Sequence, residues 1–213
     1  MRWVTLSAVA LAVATVPTAH AQGPQGFFTN LLNNFDSRGN YEAAPYEVVK
    51  TTGQYEERNY PAKKWVCTEG QGRDGDDISN GMFMKLFRYI SGGNSQEESI
   101  SMTVPVSTQV SRDSSTQITT KRMCFYIGEI HQANTPQPTD AQVFIENRQA
   151  FTIFTRQVPG YMNNNEWDEE VVALSNILNT AGESFNPAPY WTVGYDSPMK
   201  FWDRRNEVWF TKN

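Results

Sequence analysis

Twice along this chain the pattern of apolar residues runs strand, strand, helix, strand, strand, and that repetition restricts the available folds more than any other feature. Strand-like runs at Tyr46 to Lys50, Tyr55 to Tyr60 and Lys64 to Thr68 precede a helical stretch, and Met102 to Val110 and Ile118 to Ile130 follow it. The second round comprises Val143 to Arg148, Phe151 to Val158, a helix over Asn165 to Thr180 stopped by Gly182, then Tyr190 to Tyr195 and Glu207 to Lys212. Glu56-Glu57-Arg58 and Glu146-Asn147-Arg148 stand at similar places in the two rounds. Two copies of a βαββ-like unit put two helices against one antiparallel or barrel-like sheet, with a groove between the halves.

The first helix is bounded by Asp76 and Asp77 as capping and dipole-favourable residues before it and by Gly92-Gly93 after it. At 3.6 residues per turn, Ile78, Met82, Phe83, Leu86, Tyr89 and Ile90 form one apolar stripe for the core. Met84 and Phe87 fall beyond its edge, near Asn80 and Arg88. They either pack under a loop as satellite core or form a ledge for a flat apolar ligand carrying a carboxylate. A C-terminal segment with Met199, Lys200, Phe201 and Trp202 is placed to close over such a ledge.

Residues 1–21 read as a signal peptide, with Arg2, an apolar run from Val4 to Val16, and Ala19-His20-Ala21 as the cleavage pattern. Residues 22–45 then form an N-terminal arm and 46–213 the domain, long enough to bury a core of its own. The apolar run is too short to span a membrane well, and no later stretch is long and apolar enough. These features predict a secreted, extracellular chain. A net charge of -5 with scattered Lys and Arg argues against nucleic acid as the main partner. Cys67 and Cys124, each in a strand-like run, leave open a single disulfide or two buried thiols.

Other motifs weigh less. Gly70-Gln71-Gly72-Arg73-Asp74-Gly75 satisfies G-x-G-x-x-G, but Asp74, Asp76 and Asp77 would face a pyrophosphate and the later elements do not alternate as a parallel sheet requires. A flexible turn before a capped helix is the better reading. Once the leader is removed His131 is the one remaining histidine, in a Pro-rich loop that reads as solvated, so no zinc cluster and no Ser-His-Asp set can be assembled. No catalytic residue and no metal ligand is predicted.

Tyr55-Glu56-Glu57-Arg58-Asn59-Tyr60, Ala62-Lys63-Lys64-Trp65-Val66, Met102-Thr103-Val104-Pro105-Val106, Val143 to Arg148, Gly194 to Lys200 and Arg204 to Trp209 together resemble the SOUL family of haem-binding proteins. The resemblance runs colinearly from about Tyr46 to Lys212. It implies an α+β fold, a distorted antiparallel β-barrel from two βαββ repeats with two helices packed on it. It also implies non-covalent binding of haem or another tetrapyrrole on an apolar ledge of the first helix, facing the loop before the last strand. Arg88 and Lys200 match two of the family's basic positions near the propionates, and Asn80 replaces a third. A histidine proposed as iron ligand in some animal members is Asn59 here, which implies binding insensitive to the metal.

The expected ligand site is thus Asn80, Phe83, Met84, Phe87 and Arg88 with Met199, Lys200, Phe201 and Trp202. The expected function is a secreted binder of a small planar hydrophobic ligand, haem or porphyrin, for scavenging or transport. The rival is a secreted protein-interaction module on the same fold that has lost tetrapyrrole binding. An enzyme is not expected, because no acid-base pair stands out.

Overall fold

The structure is a computed structural model and describes residues 41–73, 76, 78–197, 200 and 202–213. The expected leader and residues 22–40 of the arm lie outside the described residues, as do Asp77, Met199 and Phe201. In chain order the elements are β1 (Glu42–Ala43), β2 (Glu47–Thr51), β3 (Glu56–Tyr60), β4 (Lys63–Arg73), α1 (Ser79–Ile90), β5 (Thr103–Val104), β6 (Val106–Asp113) and β7 (Ile118–Tyr126). The rest are α2 (Glu129–Gln132), β8 (Val143–Arg148), β9 (Phe151–Pro159), α3 (Asn164–Ala181), β10 (Phe185–Gly194) and β11 (Arg205–Lys212). The fold is α+β, and its main sheet is antiparallel throughout.

That sheet has nine strands in the order β2-β3-β9-β11-β10-β6-β7-β4-β8. Its edge strands β2 and β8 do not pair with each other, so the hydrogen-bonded ladder is open and does not close into the expected distorted barrel. Reading outward from the central pair β10 and β6, each strand of one half meets its counterpart in the other: β11 with β7, β9 with β4, β3 with β8. The first strand of each half therefore pairs onto the second strand of the other half. At the end of the expected arm, β1 pairs with β5 and Ala44 is buried, so this stretch packs against the body.

Alternation along the strands sorts side chains onto two faces. Val66, Met123 and Phe125 pack under α1, and Phe154, Val208 and Phe210 pack under α3. Trp65, Cys67, Cys124, Tyr126, Ile153 and Trp209 point the other way and share one inner cluster. Cys67 and Cys124 are register partners on β4 and β7, are wholly buried, and are joined as a disulfide. The two helices lie over different halves, α1 on β4, β7 and β8, and α3 on β9, β10 and β11.

Local chemistry departs from the sequence reading around α1. Strand β4 continues through the glycines to Arg73, so the expected turn is partly strand. A Cβ on Gly70 would lie 3.1 Å from Met82 Sδ, and one on Gly72 would lie 3.1 Å from Ile78 Cγ2. The glycines serve close helix-on-strand packing. Asp76 does not cap α1: its carboxylate accepts from the Arg73 backbone N–H at 2.8 Å, and Ile78 is the N-cap residue without a side-chain cap bond. At the other end Gly92 takes φ +105° and Gly93 N–H donates to Arg88 O at 2.8 Å, as the Gly-Gly stop predicts. Helix α3 carries a capping box in which Asn163 Oδ1 accepts from Asn165 and Glu166 N–H while Glu166 accepts from Asn163 N–H.

Candidate functional site

The α1 stripe holds with one exchange. Met82, Leu86, Tyr89 and Ile90 are buried as expected, but Phe87 joins them at 0% exposure while Phe83 is only half-buried. Phe87 is therefore core and not a ledge. Phe83 stacks on it with ring centroids 6.2 Å apart and also meets Phe125 at 5.3 Å. Met84 is half-buried against the same cluster, and Asn80 and Arg88 are exposed on the row that Met84 shares at four-residue spacing.

Phe83 forms one wall of a narrow apolar cleft of about 150 Å³. Met102, Val104 and Val106 line it from β5, β6 and the residues before them, Tyr41 from the N-terminal side, and Gly194 to Asp196 from the end of β10. The β10–β11 connection is tied down at its base. Asp196 accepts from Arg205 N–H at 2.5 Å with one oxygen and from Lys200 Nζ at 2.7 Å with the other. Arg204 donates to the carbonyls of Ser197 and Lys200 at 2.6 and 2.9 Å and lies over the Tyr161 ring. Lys200 thus reaches the expected loop position, but with Asp196 as its ion-pair partner. Arg88 makes no ion pair among the described residues. Trp202, on the same connection, is 73% exposed. Met199 and Phe201 lie outside the described residues.

Behind this connection sits a charged cluster that the sequence reading did not single out. Glu207, on β11, has 0% exposure and lies on the inner face with Trp209. Its Oε2 accepts from Arg58 at 2.9 Å, Tyr195 Oη at 2.9 Å, Trp209 Nε1 at 2.7 Å and Thr155 Oγ1 at 3.2 Å; its Oε1 accepts from Arg205 at 2.6 Å. Burial opposes ionisation of this carboxyl, but the Arg58 and Arg205 guanidiniums outweigh it and hold the group below its ordinary carboxylate range. Burial pushes the Tyr195 phenol well up, so it stays protonated and donates. The cluster fixes Tyr195 and Arg205, the two ends of the connection that borders the cleft.

His131 differs from the solvated reading. It lies on the short helix α2 and is buried, with Nε2 3.9 Å from Glu98 Oε1. It does not line the Phe83 cleft. Asn59 also lies elsewhere, accepting from Thr152 Oγ1 at 2.7 Å beside a separate open groove of about 860 Å³ bordered by Tyr46, Tyr60 and Phe151.

Residues 41–211 match the family model described as SOUL heme-binding protein. The chain belongs to the SOUL family. Mouse heme-binding protein 2 is 37% identical over 167 residues, covering 78% of this chain and 82% of the relative. Heme-binding protein 1 of Xenopus tropicalis is 34% identical over 160 residues, covering 75% and 84%. Among solved structures, the C-terminal domain of EcmrR superposes with a TM-score of 0.54 at 10% identity, covering 75% of this chain and 97% of that domain. A hydrolase from Listeria innocua gives 0.51 at 10% identity, covering 78% and 94%. At that identity both likenesses concern the fold alone. In this SOUL chain no helix among the described residues is long and apolar enough to cross a membrane.

Proposed function

We propose that this SOUL chain is an exported binder of haem or a related tetrapyrrole, held non-covalently and serving scavenging or transport. The observation that carries the reading is the apolar cleft between Phe83 and the β10–β11 connection, in a chain whose relatives are named heme-binding proteins. Its lining fits one edge of a flat apolar ring in chemistry and in size, and the rest of the ring would lie across Met84 on α1. Arg88 and Lys200 are the cations within the proposed reach of the propionates, Lys200 after leaving Asp196. Bound haem would supply an iron centre. The residues assigned here bury the ring, exclude water from one edge and pair the carboxylates, and none of them is a strong iron ligand. A buried disulfide suits the oxidising compartment that the leader-like N-terminus suggests.

Titration of the purified chain with haemin and with metal-free protoporphyrin tests this. Both should saturate with similar affinity, Phe83→Asp should weaken both at least tenfold while near-UV circular dichroism is retained, and His131→Ala should leave both unchanged. Absence of saturable binding by either ligand would favour the rival, a protein-interaction module on the SOUL fold. Loss of haemin binding alone in His131→Ala would refute the metal-insensitive mode.

A further inference from the structure

The groove between the two halves is a second concavity, distinct from the Phe83 cleft and sharing no lining residue with it. It has a volume of about 390 Å³, within the range of small-molecule sites. Its floor is the central strand pair on the helix-bearing face of the sheet, where Tyr190 and Val110 are register partners and both nearly buried. Met162 and Trp167 line it from the α3 side, and Trp167 is half-buried against the cluster beneath that helix. The α1 side brings Ser79 and, from β7, Lys121.

Among the described residues, two cations, Arg112 and Lys121, and one carboxylate, Asp168, line this groove. Asp168 is engaged by Arg112 at 2.7 Å. Lys121 is half-buried, and among the described residues its ammonium makes one hydrogen bond, to Ser79 Oγ at 3.3 Å, with no carboxylate partner. A half-buried ammonium with one weak neutral partner, beside a floor made of the Tyr190–Val110 and Thr192–Thr108 pairs, is suited to an incoming anion.

We infer that the groove between α1 and α3 binds an amphiphile with an apolar aromatic or aliphatic body and one anionic group. The body lies on Tyr190 and Val110 against Trp167, and the carboxylate or sulfonate meets Lys121 and Ser79. The site is independent of tetrapyrrole binding. It lies where the two halves meet, a common place for ligand sites because packing of two units leaves a concavity that neither fills.

The test uses 1-pyrenebutyrate and the matched cation 1-pyrenebutyl-trimethylammonium, titrated into the intact chain and followed by pyrene emission and by quenching of tryptophan fluorescence. The anion should bind at least tenfold more tightly than the cation. Lys121→Glu should weaken the anion roughly tenfold, while Lys85→Glu, the same charge change on α1 away from the groove, should not. Trp167→Phe should keep binding but lose most of the quenching. Haemin at saturation should leave pyrenebutyrate affinity unchanged. The inference is overturned if anion and cation bind alike, if Lys121→Glu and Lys85→Glu act equally, or if haemin displaces the probe.

Discussion

Replacing Glu207 by Gln isolates the charge of the buried cluster while nearly keeping its shape. Glu207 and Arg58 have side-chain exposures of 0% and 5%, so the pair is desolvated and removing one charge leaves the other in a poorly solvating interior. Breaking such a pair costs about 3 to 5 kcal/mol. Arg58 retains Glu56 at 2.6 Å and Arg205 is 36% exposed, which places the expected loss near the low end, about 3 kcal/mol. For a chain of this size that lowers the melting temperature by roughly 6 to 12 °C. The pH dependence follows from the direction of the shift. Glu207 is held below its ordinary value of 4.5, so its stabilisation is complete above that value and fades as pH falls through the lower folded value. Urea denaturation of parent and Glu207→Gln at pH 7 and at successively lower pH should therefore show a gap that narrows in acid. A gap under about 1 kcal/mol at pH 7, or one unchanged down to pH 3, would refute the assignment of Glu207 as a charged, paired group.

Two further outcomes are expected. The Cys67–Cys124 bridge closes a loop of 57 residues in sequence, so replacing both cysteines by Ser should lower stability by about 4 kcal/mol, read from denaturation curves without reductant. A change below about 1 kcal/mol would show that the bridge does not constrain the unfolded chain. Asn163→Ala removes the acceptor for two N–H groups at the start of α3 and should cost about 1 kcal/mol, whereas Asn163→Asp should cost little.

What could be read from the sequence and what could not divide along the range of the signal. Strand and helix order is written in local periodicity, and every strand run expected from Tyr46 onward has a counterpart in the structure. The exchange of Phe83 for Phe87 arises because α1 is covered by more than the sheet. Ile100 and Met102, from the segment between α1 and β5, join its core and widen the buried arc beyond a single stripe. His131 read as solvated because prolines flank it, yet α2 turns it inward, a tertiary effect with no local mark. The Glu207 cluster is harder still, since Arg58 and Glu207 are 149 residues apart. One local sign was available. Along β11, Val208 and Phe210 occupy one face and Arg205, Glu207 and Trp209 the other, so a strand with a buried aromatic on each face carries a carboxylate in core phase. An acid there must find cations on neighbouring strands. The repeat supplies them at matching places. Arg58 on β3 pairs with Glu56 and covers Tyr46, while Arg148 on β8 pairs with Glu146 and covers Trp65. Because β3 and β8 are counterparts across the centre of the sheet, the duplicated Glu-x-Arg marks the two places where guanidinium groups enter the inner face. The half that also carries Glu207 acquires the charged cluster that holds the β10–β11 connection against the cleft.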